Sequence, residues 1–443
     1  MTTRQGCPMR RVSDEQKLIN AANSLRDPLA RRSFLKLATL AGAGIAAAPL
    51  VAACNRESAA ASGTVRSATG VDLQTGRISQ QIYGLTNDYW NSWNAGYEAA
   101  TKALECSARQ FYHDNDPAKQ VGQLQTVKAT GSRMLIGAPA TAGIVPAMAR
   151  TIQENQTYWV PSWELQPWLT PIDVGDYLVA HVTPPSEKIA YEVATELFRQ
   201  IGNTGKVVHI AGLRGSTPDL YRSAGLARAL AENPGIELVG GLFGEWDREK
   251  SRSVMLNMVT AYPDMVAVFA QSDAQANGVL SVLEERNMRH VKVSGIDGNK
   301  ENLQKIMTGP NMAVTHMSVP PHLAAYSAVA AFDALNGWKP TLPERMMYQE
   351  STLITRENAE DAYNKVYRNG LPYDVAKMSR TLNPGDWDPQ NLMIPIDPEL
   401  HWRGLDKSGR SLNGAYSEPG FTAEFSRVTA DYADRYRSGP FKS

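Results

Sequence analysis

Four side chains crowd one turn of this 443-residue chain: Asn87, Tyr89, Trp90 and Trp93, within residues 81–96. An amide beside flat aromatic rings is equipment for holding a ligand rather than for breaking a bond. The rings cover apolar surface, and the amide answers hydroxyl groups. Trp90 and Trp93 also suit a second role, as core anchors of the helix that follows. Catalytic chemistry has no comparable signature. The seven histidines, at 113, 181, 209, 290, 316, 322 and 401, show no ligand-like spacing, and no HExxH, CxxC or EF-hand pattern occurs. No Ser/His/Asp set or carboxylate pair stands at a legible spacing, so neither an enzyme, a metal site nor a cofactor is expected. Residues 213–218 supply Gly, Ser and Thr but lack the lysine of a phosphate-binding loop.

The turn needs elements to hold it. A short apolar opening at 81–84 reads as a strand, and helical spacing runs from about Trp90 through Trp93, Tyr97 and Ala100 to about residue 108. Strands expected at 108–113, 133–137 and 157–161 alternate with helices expected at 118–130 and 143–156. After a strand at 177–183, a second series sets strands at 206–212, 236–243, 265–271 and 291–297. Helices at 187–201, 220–232, 252–262 and 274–286 intervene. Such alternation implies βαβ units and parallel sheets. Two series of similar length predict two similar lobes, with a ligand cleft between them at the carboxyl ends of the strands. Lys plus Arg equals Asp plus Glu at 45 each, so no basic field argues for nucleic acid.

The N-terminal region carries signals of another kind. Arg31-Arg32-Ser33-Phe34-Leu35-Lys36 is similar to a twin-arginine export signal, followed by a short Ala/Gly-rich apolar run interrupted by Pro49. Val51-Ala52-Ala53-Cys54 resembles a lipobox, in which the cysteine becomes the lipidated first residue; ordinary cleavage at a small-residue site is the alternative. Residues 55–77 read as a flexible tether rich in Ser, Ala, Gly and Thr. With Cys7 in a leader and Cys54 lipidated, only Cys106 remains, and an intramolecular disulfide is impossible.

Further along, Val268-Phe269-Ala270-Gln271-Ser272-Asp273 and Val293-Ser294-Gly295-Ile296-Asp297-Gly298 resemble the periplasmic sugar-binding proteins of the ribose-binding type. Residues 114–120, 225–230 and 299–321 fit the same pattern, and the resemblance spans about 81–358. It implies two Rossmann-like lobes with parallel sheets, joined by three hinge strands and closing on a ligand. It also places Asn87 on sugar hydroxyls, Tyr89 and Trp90 on a sugar ring, and Arg222 with its aromatic neighbour Trp246 in the second lobe. Asp297 takes the carboxylate position. Arg and Asp there would form charge-assisted hydrogen bonds to hydroxyls. Asp297 has another reading, as a cap for the helix after Gly298, and Asp273 reads as the cap of the helix beginning at 274.

Three positions depart from the family pattern. Trp163-Glu164 stands where an Asp-Arg pair is usual, Ser272 replaces an Asn, and Ser318 replaces a hinge Gln. Arg is not interchangeable with Trp or Glu at a bidentate site, which argues against ribose itself and leaves a sugar or a sugar-like ligand, larger or more apolar, such as an alditol, a cyclitol or a deoxy-sugar. The domain expectation is a signal region at 1–54, a tether at 55–77, lobe one at 78–182 with about 319–340, and lobe two at 183–318 with about 341–360. Residues 361–443, rich in Pro, Asn, Asp and aromatics, are expected to wrap one lobe, with a final helix at 423–436. The resemblance implies a monomeric solute-binding protein of an ABC importer, partnered by a permease and an ATPase, periplasmic, and held to the membrane through Cys54. A sensory binding protein feeding a chemoreceptor or kinase is the alternative.

Overall fold

A computed structural model describes residues 63–442 apart from Asp406. Arg31, Arg32, Cys54 and the first part of the tether lie outside the described residues. A hairpin of β1 (Thr64–Arg66) and β2 (Asp72–Gln74) precedes the first lobe. That lobe runs β3 (Arg77–Ile82), α1 (Asp88–Ala103), β4 (Ser107–Tyr112), α2 (Pro117–Ala129), β5 (Met134–Gly137), α3 (Val145–Asn155) and β6 (Tyr158–Pro161). Its four strands are parallel in the order β4-β3-β5-β6. The central strand β3 is polar, yet Ser79, Gln80 and Gln81 are buried. Each makes a side-chain hydrogen bond, with Ser132 (2.7 Å), Asn94 (2.7 Å) and the Gln120 carbonyl (3.0 Å) respectively.

The chain crosses to the second lobe through β7 (His181–Thr183). There follow α4 (Ser186–Gln200), β8 (Gly205–Ala211), α5 (Thr217–Glu232), β9 (Ile236–Phe243), α6 (Arg248–Ala261) and β10 (Met265–Ala270). The lobe continues with α7 (Asp273–Glu285), β11 (Lys292–Ser294), α8 (Lys300–Thr308) and β12 (Met312–Met317). A second crossing leads to α9 (Pro320–Leu335), which returns to the first lobe and packs on α1, β5 and β6. A third leads through β13 (Met346–Gln349) to β14 (Thr352–Ile354), which lies antiparallel to β12 at the edge of the second sheet. The second sheet has the order β14-β12-β11-β10-β8-β9.

The last segment departs from expectation. After α10 (Ala359–Tyr367) the chain forms β15 (Met393–Pro395) and α11 (Pro419–Arg435). Strand β15 adds antiparallel to β13, which pairs with β7, making a three-stranded sheet at the crossing. Helix α10 packs on α8 of the second lobe, where Tyr367 donates to the Gly298 carbonyl at 2.6 Å. Residues 379–381 instead cap the buried Asp333 of α9 in the first lobe, and Tyr432 of α11 meets Tyr326 at 3.0 Å. The expected wrap over one lobe is therefore corrected: the extension holds both, because it grows out of the sheet between them. Residues 346–349, assigned to lobe two from the sequence, belong to that crossing sheet. Every residue of α9 is buried, as a helix apolar on all sides must be. The first lobe covers one side of it, and the extension covers another.

Candidate ligand-binding cleft

The turn after β3 folds as its residue types dictate. Asn87 is extended and caps α1, its Oδ1 accepting from the Trp90 amide at 3.0 Å. That cap points the first turn of α1, with Tyr89 and Trp90, toward the second lobe. Trp90 stacks on Tyr83 with centroids 5.1 Å apart and meets Tyr89 edge-on at 5.0 Å. Trp93 lies beneath, fully buried, its Nε1 donating to Gln80 at 3.2 Å. It is a core anchor.

From the second lobe, α5 presents Arg222 with its guanidinium 5.5 Å from the Trp163 ring centroid and 5.3 Å from that of Trp246. Its Nη1 donates to the Gln271 carbonyl, and Nη2 stands 3.9 Å from Asp297 Oδ1. Its Nε is buried without a hydrogen-bond partner among the described residues. Burial pushes the Asp297 carboxyl well up, against the pull of Arg222 and with the push of Asp273. The same burial lowers Arg222 from its usual value. Trp163 (φ 70°), Trp246 (φ 61°) and Asp297 (φ 140°) all adopt positive φ. Such backbone costs on the order of 1–3 kcal/mol at a non-glycine residue and collects at functional sites. Gly212 makes room for the Trp246 ring, which would lie 2.0 Å from a Cβ at that position.

These groups line a cleft of about 650 Å³ between the lobes. Asn87, Tyr89, Trp90, Trp163, Glu164, Arg222, Trp246, Ser272 and Asp297 all border it. Ser318 does not. It sits at the second crossing, where its carbonyl accepts from Gln349 Nε2 at 3.0 Å. Two of the bordering residues have their polar atoms committed to the protein. Ser272 caps α7 through the Gln275 amide, a role expected of Asp273. Asp273 instead accepts from Thr315 Oγ1 (2.7 Å) and the Asn299 amide (2.6 Å). Glu164 is spent on Thr217, whose hydroxyl donates to it at 2.6 Å. Asp297 does not cap α8, whose N-cap is Asn299.

Sequence reasoning passed over several residues of the wall. Tyr83 backs Trp90 and lies in the same stretch of sequence, where its alternation with buried Ile82 was the available signal. Asp88, Asp114, Glu245 and Glu249 give the cleft an acidic rim, and no motif announced them. Lys119 and Lys250 neutralise Asp114 and Glu245. Among the described residues, no group of His, Cys, Asp or Glu is arranged to hold a metal.

Comparison with known proteins bears on this geometry. The profile of a periplasmic binding protein domain matches residues 82–339. Over 262 residues the chain is 26% identical to the ribose import binding protein of Salmonella typhimurium, covering 59% of this chain and 86% of that one. It is 23% identical over 299 residues to the xylitol-binding protein of Mycolicibacterium smegmatis, covering 67% of this chain and 82% of that one. A twin-arginine translocation pathway signal protein from Burkholderia phytofirmans superposes with a TM-score of 0.63 at 22% identity, over 67% of this chain and 94% of that structure. That likeness speaks for the fold.

Proposed function

The chain belongs to the periplasmic binding protein domain family, and from that premise we propose that it is an exported solute-binding protein closing on a sugar or sugar-like polyol. Family membership makes it a binding protein rather than an enzyme. The observation that carries the ligand class is Arg222, clamped between Trp163 and Trp246 and facing Asp297. Aromatic faces suit the apolar C–H side of a polyol, and the Arg–Asp pair suits its hydroxyl edge. The names of the relatives, ribose import and xylitol-binding, favour the same class. With the Glu164 carboxylate and Ser272 hydroxyl committed elsewhere and Ser318 outside the cleft, the polar grip gathers at Arg222, Asp297, the Asn87 Nδ2 and the Tyr89 hydroxyl. A sugar-like polyol such as an alditol, cyclitol or deoxy-sugar, with an apolar C–H face and a hydroxyl rim, fits that distribution.

Delivery to the permease and ATPase of an importer is the accompanying role, with lobe closure as the signal. Export through Arg31-Arg32 and anchoring through Cys54 complete the proposal. Cys54→Ala should release the mature protein from membrane fractions; unchanged fractionation would remove the anchor. The ligand is tested by melting the purified mature protein with sugars, alditols, cyclitols and small amines. A ligand at a hundredfold excess over its Kd stabilises by about 2.7 kcal/mol, a clear upward shift. Stabilisation by amines alone would overturn the polyol reading.

A further inference from the structure

Helix α5 reaches across to the first lobe at two points and to the extension at a third. Glu164, in the loop after β6, accepts from the Thr217 amide (3.1 and 3.2 Å) and from its hydroxyl (2.6 Å). Both oxygens of a carboxylate only 1% exposed are thus spent on the first turn of a helix from the other lobe. The helix dipole favours a negative group there. One turn on, Tyr221 donates to the His401 carbonyl at 2.6 Å, with the two rings 4.8 Å apart. His401 is itself held by the Tyr348 hydroxyl at 2.6 Å. Its neighbour Trp402 is buried among Trp159, Leu165 and Leu178 of the first lobe. Beside Tyr221, the Arg222 guanidinium lies over Trp163, whose Nε1 is anchored on the Tyr89 hydroxyl at 3.0 Å. Positions 217 and 221 share one helix face, so one face of α5 docks on the first lobe and on the extension together.

We infer that α5 is a latch, by which Glu164, Trp163 and His401 hold the lobes together through contacts between protein groups, whatever solute binds. Closure then draws on two sources, the latch and the ligand. Apparent affinity scales with the fraction of protein in the binding-competent form. Weakening the latch should therefore weaken every ligand by the same factor and leave their ranking unchanged. A residue that touched the solute would instead alter the ranking. The segment holding His401 lies beyond the matched family region, so one of the three groups of this latch belongs to the extension.

Small-angle X-ray scattering of the mature protein without added solute tests the idea independently of ligand identity. Wild type should give the compact profile computed from this structure. Glu164→Ala and Tyr221→Phe should each enlarge the radius of gyration toward a parted two-lobe form. Tyr221→Phe keeps the ring and removes only the hydroxyl, and circular dichroism melting confirms that each variant is folded. Once a ligand series is in hand, each variant should raise every Kd by one common factor of at most about five, the worth of one lost hydrogen bond in the closing equilibrium. A parted profile for wild type, profiles unchanged in both folded variants, or a reordered ligand series would each overturn the latch. None of these results depends on the solute being a polyol, so that reading stands or falls separately.

Discussion

Arg222 sets the electrostatics of the cleft because it is 4% exposed and carries a charge that its fold cannot discharge. Two indole faces and Asp297 compensate its lost hydration, and Nε is buried without a hydrogen-bond partner among the described residues. Arg222→Ala should therefore cost on the order of 2–5 kcal/mol of binding, since it leaves the Asp297 carboxyl buried without its partner. Arg222→Lys should rescue little of this, because one ammonium cannot serve the Gln271 carbonyl, Asp297 and two rings at once. Calorimetric titration of both variants decides the matter, and near-native affinity in Arg222→Lys would count against the need for a multidentate guanidinium. The two tryptophans should behave differently. Trp246 is half-buried, so Trp246→Ala should lose on the order of 1–3 kcal/mol of affinity with little change in melting. Trp90 belongs to the core cluster with Trp93 and Tyr97, and Trp90→Ala should lower folding stability itself by on the order of 3–5 kcal/mol. Equal melting losses in the two would show that the cleft wall is assigned wrongly. Asn87, Tyr89 and Trp90 were legible in the sequence because cap, strand end and helix start coincide at one turn. The partner of Glu164 was not legible, since a side chain's contact across two lobes leaves no local pattern.

Helices and strands were easier to read than their edges and their order. Strand β9 was expected and found at residues 236–243, since its flanking turn residues and β-branched start are local signals. Strand β3 was entered too late, at residue 81, because its polar stretch 79–81 looks like a loop to any hydrophobicity pattern. Side-chain hydrogen bonds to neighbouring elements make it a central strand, and no local rule contains them. The extension was misjudged for a related reason: α9 is apolar on every side, which already demanded a second cover over the first lobe. Close approach between elements has its own marker at Gly96, where a Cβ would stand 1.9 Å from the Pro321 carbonyl oxygen. Backbone cannot swing aside as a side chain can, so Gly96→Ala should push α1 away from α9. A loss of about 1–3 kcal/mol is expected from such overpacking. Urea unfolding of the variant measures it, and a midpoint equal to wild type would mean that the two helices are not in the contact described.

Across the whole molecule, two populations of buried titratable groups pull stability in opposite directions with pH. Burial pushes the Glu164 carboxyl up to about 7 and that of Asp219 up to about 6, and it raises Asp297 and Asp273 as well. In this range the folded protein holds protons that the unfolded chain, with ordinary carboxyls near 4, has already released. Stability from these acids is present at low pH and is lost as pH rises through about 7. Burial lowers His113, His181, His209 and His322 to about 4, and His401 to about 3. The unfolded chain takes up protons at these five below about 6.5, while the folded protein does not. Their contribution is present above about 6.5 and is lost as pH falls. The melting temperature should therefore peak close to pH 6.5 and decline on both sides. Three of the raised acids, Glu164, Asp297 and Asp219, lie in or beside the cleft and the α5 N-terminus, whereas the histidines lie in the lobe cores, at the crossing and, for His401, in the extension. The decline above about 6.5 thus reports on the cleft, whereas the limb below it is the histidines' gain less the loss that the same acids undergo. Glu164→Gln has no proton to lose, so melting scans from pH 4.5 to 8.5 should find its rise on the acid side steeper and its decline through pH 7 shallower than in wild type. An alkaline limb as steep as that of wild type would mean that Glu164 does not titrate near 7, and that it is wetter than its bonds to Thr217 imply.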